Sequence, residues 1–186
     1  DDTTKMINHV YGKYSKDILK MNLAIGSDEI KKNLKKQNLI TFMPRKLSMH
    51  SQKLIFLLRN KLPKNWKIKP LANISDTEFY NYLRKSKLFL SFSYMEGLGA
   101  PPIEAAKEGN KVIGYTGEGG KDYWKKPIFT EIPNGNLDLF MNEIMKFTKS
   151  KKSYSIFSNQ RVKLLQKYSS KSETKSLKIL INKINK

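Results

Sequence analysis

Cysteine is absent from this chain. Disulfides, thiolate metal sites and a cysteine nucleophile are thereby excluded. Histidine is scarce: His9 and His50 are the only two, too few and too far apart to read as a metal site. Long hydrophobic runs are missing as well. The longest are LIFLL at 54–58 and LFL at 88–90, far short of the roughly 20 residues that span a bilayer. No signal-peptide pattern is visible, and the chain starts with Asp1 rather than Met, which reads as an excised or processed piece of a longer protein. These absences fit a cytoplasmic setting.

Arginine is the scarcest of the charged residues. It occurs at 45, 59, 84 and 161, so 32 of the 36 basic residues are lysine (36 less 4). The net charge of +20 invites a nucleic-acid reading. However, lysine, asparagine and isoleucine, all abundant here, share A/T-rich codons, and a base reader draws on arginine for bidentate contacts. The balance is against nucleic acid. It favours lysines that attract an anionic substrate or hold the chain at the inner face of an anionic membrane. What is present in quantity is core-forming residues: 39% hydrophobic and 11% aromatic over 186 residues. That suits one packed domain burying roughly 70% of its unfolded-chain surface.

From Leu39 onward, short apolar runs alternate with amphipathic ones. Strands are expected at Leu39–Met43, Trp66–Leu71, Leu88–Phe92, Lys111–Gly114 and Ile128–Ile132. Helices are expected at Ser48–Leu62, from the capping box Ser75–Glu78 with Phe79, Tyr82 and Leu83 inward, from Pro101-Pro102 to the stop at Gly109, and at Asn136–Lys149. Two more fill about 153–168 and 170–185. The last carries a stripe of Leu177, Leu180, Ile181 and Ile184, with Ser170 and Glu173 as a second capping box. This alternation predicts an α/β, Rossmann-like parallel sheet with helices on both faces. The predicted organisation is a leading helix and linker over 1–37, the sheet domain over 38–150, and C-terminal helices over 151–186 that pack on it or cross from it. Ligands of such sheets bind beyond the carboxyl ends of the strands, here the loops 44–48, 72–75, 93–101 and 116–121.

The loop at 93–101 holds the richest chemistry. Gly97 and Gly99 let a ligand approach backbone N–H groups. The dinucleotide fingerprint Gly-x-Gly-x-x-Gly fails, because position 102 is Pro, so the glycines alone fit a tight strand-to-helix turn equally well. Glu96 is placed in the loop, and Glu104, eight positions on, in the first turn of the next helix. A carboxylate accepts hydrogen bonds from both hydroxyls of a vicinal diol, which ribose and hexoses both present. The plain alternatives are a solvated loop charge for Glu96 and a favourable helix-dipole position for Glu104.

E-G-L-G-A-P-P-I-E at 96–104, followed by A-A-x-x-G-x-x-V-I-G, resembles the E-x7-E motif of GT-B glycosyltransferases of the GT4-like group (glycosyltransferase group 1). KLFLSFSY before it, GYTGEGGKDYW after it with Asp122 at an expected acidic position, and FMPRK at 42–46 match further segments of that group. The resemblance covers roughly residues 38–145 and implies the C-terminal, donor-binding half of a GT-B fold. It implies that Glu96 holds the donor sugar and Glu104 the nucleotide ribose. Gly97, Leu98 and Gly99 would offer N–H groups, and Arg45 and Lys46 would neutralise the diphosphate. Gly119 and Gly120 would either border the sugar or simply form a turn, and the base would stack near Leu71–Ile74. The family pattern has a lysine five residues after the arginine, but position 50 is His, which leaves Lys46 or Lys53 as the second cation. The implied activity is retaining hexosyl transfer from a nucleotide-diphosphate sugar, in surface polysaccharide or lipopolysaccharide synthesis. No metal or other cofactor is implied. An N-terminal acceptor domain would lie outside this chain, and the chain alone would be inactive. The competing readings are a basic module for nucleic acid or membrane surface, and a sugar-nucleotide epimerase of GT-B type.

Overall fold

The computed structural model describes residues 2–14, 18–28, 35–150 and 158–185. Its centre is a five-stranded sheet in the order β2-β1-β3-β4-β5. The strands are β1 (Gln37–Phe42), β2 (Lys67–Pro70), β3 (Ser86–Glu96), β4 (Lys111–Glu118) and β5 (Phe129–Glu131), and every neighbouring pair is parallel. The helices are α1 (Asp2–Tyr11), α2 (Ser48–Leu58), α3 (Asp76–Lys85), α4 (Ala100–Lys107), α5 (Leu137–Lys149), α6 (Ser158–Lys167) and α7 (Ser170–Ile184), with a 3-10 turn at Gly119–Asp122. The expected α/β, Rossmann-like sheet is what forms.

Alternation along the central strands sorts the core into two halves. Phe89 and Val112 point to one side, where Leu83 of α3, Ile103 and Ala106 of α4 and Leu164 of α6 cover them. Leu88, Leu90, Phe92, Ile113 and Tyr115 point to the other, against Leu54 and Leu58 of α2 and Phe140 and Ile144 of α5. There Phe92, Tyr115 and Phe140 pack with ring centroids 5.3 to 6.1 Å apart.

Helix ends follow local chemistry. Ser75 accepts from the Glu78 amide while the Glu78 carboxylate accepts from the Ser75 amide, completing the expected capping box of α3. Gly99, in the left-handed region at φ +71°, precedes α4. Pro101 and Pro102 then fill its first turn, where missing N–H groups cost nothing.

Several expectations need correction. α2 stops at Leu58, and Leu62 closes a turn on the Leu58 carbonyl (3.1 Å). The second capping box does not form. Ser169 caps α7 by accepting from the Ser172 amide, and the Ser170 amide instead donates to Asp28 at 2.9 Å. α6 anchors through Leu164 and Leu165, and Tyr168 just after it is buried as well, but α7 buries no residue, and its Leu177, Ile181 and Ile184 stay exposed. The start expected for the helix before α7, at 153–157, lies outside the described residues. Among those described, no helix is long and apolar enough to cross a membrane.

Because Ser75 satisfies an otherwise unpaired amide at the start of α3, Ser75→Ala is expected to lower stability by about 1 kcal/mol. Urea unfolding followed by circular dichroism measures this, and an unchanged midpoint would contradict the cap.

Candidate functional site

The carboxyl ends of β1 and β3 and the start of α4 converge on two adjoining hollows. The smaller, about 90 Å³, is walled by Arg45, Lys46, Ser93, Glu96 and Pro102. The larger, about 590 Å³, is walled by Leu71, Asn73, Ile74, Tyr80 and Glu104. Met43, Arg45 and Pro101 belong to both walls, so one cleft runs from Glu96 to Glu104 past Arg45.

Glu96 is not in the loop, as expected from sequence, but is the last residue of β3. The register with β4 is irregular between Ser93 and Glu96, and Met95 has a φ of +43°. Such a bulge re-aims the side chain after it. Pairing resumes at Glu96, opposite Glu118, and the Glu96 carboxylate meets the Lys46 ammonium at 2.6 Å. Lys46 comes from the turn after β1. Its side chain is 42% exposed, against 18% for Glu96, so the pair sits at the mouth of the small hollow.

Glu104 is likewise displaced from expectation. α4 begins at Ala100, making Glu104 its fifth residue, and the first turn holds no acidic side chain. Its environment comes from the side rather than from the helix dipole. The Tyr80 hydroxyl of α3 donates to Glu104 Oε1 at 2.5 Å. Burial raises the Glu104 pKa above its ordinary value, with nearby Asp76 pushing the same way; the Tyr80 hydrogen bond and Lys107 oppose this. Gly26, at φ +63°, passes close by, where an added Cβ would lie 3.5 Å from both the Tyr80 hydroxyl and Glu104 Cγ.

The glycine-rich segment packs behind Glu96. A Cβ on Gly117 would come within 2.7 Å of Ser93 Cβ and 3.4 Å of Glu96 Cγ. A Cβ on Gly119 would sit 1.9 Å from the Gly97 carbonyl oxygen. Gly120 is buried beside Tyr123 and Trp124. Leu98 is partly buried against the core, and the Gly99 carbonyl accepts from the Tyr123 hydroxyl at 2.9 Å. Asp122 is paired with Lys20 at 2.7 Å. Neither these residues nor Gly97 wall the two hollows; Gly97 has open space where a side chain would go.

The cations divide clearly. Arg45 and Lys46 share the small hollow with Glu96. Lys53 faces a separate, largely apolar cavity between α2 and β2, with Phe56 and Arg59. His50 is held by the Tyr115 hydroxyl at 3.2 Å. The segment Leu71–Ile74 does line the hollow that contains Glu104. Sequence reasoning missed Tyr80. The available signal was that Asp76 and Tyr80 lie four apart, on one face of the first turns of α3, directly after a loop at the carboxyl end of β2. Among the described residues, no three of His, Asp and Glu gather closely enough to hold a metal ion.

No protein-family model matches the chain. Over 115 residues it is 30% identical to a poly(glycerol-phosphate) alpha-glucosyltransferase of Bacillus subtilis (strain 168), a match covering 59% of this chain and 16% of that protein. Among solved structures, a point mutant of S. aureus TarM in complex with Fondaparinux, alpha-GlcNAc-glycerol and UDP superimposes with a TM-score of 0.77. Its identity is 16%, covering 96% of this chain and 42% of that one. The pneumococcal O-GlcNAc transferase GtfA, in complex with UDP and GlcNAc, gives 0.70 at 12% identity, covering 99% and 44%. The chain therefore spans less than half the length of these relatives. These likenesses show the fold, which is GT-B-like, as in these glycosyltransferase structures.

The glycine geometry separates room for a ligand from packing within the chain. Gly97→Ala is expected to leave stability within about 0.5 kcal/mol, whereas Gly119→Ala, which forces two backbones apart, should cost about 1–3 kcal/mol. Chemical denaturation of the two variants side by side checks this. Equal losses would show that Gly97 too is required for packing.

Proposed function

We propose that this chain is the nucleotide-sugar-binding half of a retaining glycosyltransferase of the GT4-like group, acting in surface polysaccharide assembly. The observation that carries the reading is the cleft itself: two cations beside one glutamate, and a second glutamate in an adjoining hollow large enough for a nucleoside. Solved structures of this fold that contain UDP support the choice of ligand class, as does the glucosyltransferase of B. subtilis.

In this reading the diphosphate lies against Arg45 and Lys46. The sugar's hydroxyls donate to Glu96 and the ribose diol to Glu104, and the base rests against Leu71–Ile74. The Gly97–Gly99 loop walls neither hollow, so the N–H groups of Gly97, Leu98 and Gly99 meet the sugar and diphosphate only where the donor extends past them, with Gly119 and Gly120 backing that loop. As transfer proceeds, the bond between the anomeric carbon and the diphosphate oxygen breaks, and its electron pair stays with the diphosphate. Arg45 and Lys46 stabilise that growing charge, so the proposal needs no metal for this role. The acceptor hydroxyl, and the group that takes its proton, belong to a second lobe outside this chain. The chain alone should then bind donor but transfer poorly. The excess of lysine suits contact with an anionic membrane at the cytoplasmic face.

Titration calorimetry with uridine and guanosine diphosphates tests the reading. Saturable binding to one of them is expected, and Glu104→Ala should weaken it by about 1–3 kcal/mol, the range for a lost charged hydrogen bond. Because the Glu104 pKa is raised, binding through its carboxylate should be lost on acidification at a higher pH than an ordinary glutamate would impose. Absence of binding at millimolar nucleotide, together with RNA binding that falls steeply with salt, would replace this reading with a nucleic-acid module. Epimerised donor rather than transferred sugar, from the longer protein, would replace it with an epimerase.

A further inference from the structure

We infer that Tyr80 is the residue that makes this site selective for an intact ribose diol, and that it does so by fixing the Glu104 carboxylate. The inference rests on the nucleotide reading above and adds a specificity-determining side chain that neither the sequence motifs nor the fold supply.

A free glutamate on a helix samples several rotamers, and each presents its oxygens differently. Glu104 is not free. The Tyr80 hydroxyl donates to Oε1 at 2.5 Å, the short distance of a charge-assisted O–H···O⁻ bond. A phenol has its donor at the end of a rigid ring, so the bond sets a direction as well as a distance. The ring is itself held. Phe79 packs on it edge-on, with centroids 5.5 Å apart. The Arg84 guanidinium lies 5.8 Å over its face, and Arg84 is in turn paired with Glu108 at 3.4 Å. Gly26 lies behind the pair, near enough that a Cβ added to it would touch both the Tyr80 hydroxyl and Glu104 Cγ at 3.5 Å.

Tyr80 and Glu104 both belong to the wall of the 590 Å³ hollow. A carboxylate oxygen carries two lone pairs. With the phenol on Oε1, Glu104 keeps Oε2 and the remaining lone pair of Oε1 for a ligand. Those acceptors are spaced for two adjacent hydroxyls, the arrangement of a cis diol. A site committed to receiving hydroxyls discriminates strongly against ligands that lack them, because the carboxylate is then left buried without its partners. Without Tyr80 the carboxylate can turn away from the diol, the two hydroxyls lose their aligned acceptors, and the discrimination falls through weaker binding of the diol. Tyr80 is thus a positioning residue acting through Glu104.

The test is calorimetric titration of the chain with uridine diphosphate and with 2′,3′-dideoxyuridine diphosphate. The unaltered protein should prefer the first by about tenfold or more. Tyr80→Phe should reduce that preference to about threefold or less, while dideoxy binding stays within about twofold of the original. In a Glu104→Ala background, Tyr80→Phe should change neither affinity, since the residue through which it acts is gone. Three results overturn the inference: a preference unchanged in Tyr80→Phe, an equal loss for both nucleotides, or an added loss in the Glu104→Ala background. If the unaltered chain binds neither nucleotide, the functional reading itself fails, which is distinct from a chain that binds uridine diphosphate with Tyr80 playing no part.

Discussion

A strand covered on both faces has nowhere to put a charge except at its end. β3 is in that position. It pairs with β1 on one side and β4 on the other, and helices cover both of its faces. From Leu88 through Phe92 its side chains are all buried. An ionised group there would lose its hydration without compensation. Chemistry therefore begins only where the cover stops, after Ser93. The bulge at Met95 carries the chain from one regime to the other and brings Glu96 around to Lys46. The same limit applies to β1, whose Arg45 and Lys46 follow the last strand residue by a short turn. Placing reactive groups beyond the carboxyl ends of parallel strands is, in this chain, a consequence of solvation.

The other end of α4 shows how the cleft is held in place. A helix leaves its last carbonyls unpaired, and here those of α4 are buried. Arg161 of α6 donates to the Lys107 carbonyl, Lys36 to that of Glu108 at 2.7 Å, and Asn110 to that of Ala105 at 2.8 Å. Lys107 reaches the other way, to carbonyls of Ile25 and Tyr168. Cations suit the negative end of the helix dipole, and burial holds Lys36 at a pKa of about 7. The segment with Ile25 and Gly26 is thereby tied to the underside of the helix that carries Glu104. α6 is fastened there too, and α7 follows directly through Ser169.

Much of this could be read from the sequence because the relevant signals are local. The capping box of α3 is four consecutive residues, and the proline start of α4 is two. The strand cores announce themselves as short apolar runs. What could not be read depends on contacts between distant residues. Tyr80 is an ordinary half-buried aromatic until α4 brings Glu104 to it from 24 positions away. Lys46 and Glu96 are fifty apart and meet only because β1 and β3 are neighbours. Gly119 looked like one of several loop glycines, yet its need for a bare Cα comes from the Gly97 backbone lying against it. At the start of α7, Ser169 and Ser170 are chemically equal candidates for the cap, and the choice is settled by Asp28 reaching the Ser170 amide. The exposed stripe of α7 satisfies the helical period as well as a buried one would, since periodicity says which residues share a face and not what covers it.

The contact between Lys46 and Glu96 has an electrostatic consequence. At 2.6 Å the two groups largely cancel each other's distant field, so the small hollow presents a local dipole beside the single positive charge of Arg45. Attraction over longer range falls to the rest of the +20 surface, and salt limits its reach to roughly 10 Å. Close in, a guest that captures only the ammonium strands a carboxylate, and one that engages only the carboxylate strands an ammonium. A bare anion or a neutral polyol each resolves half of the exchange. A molecule carrying negative charge and hydroxyl donors a few ångströms apart resolves both, so under the proposed function the resting pair would act as a filter on guests that match only one end of the dipole.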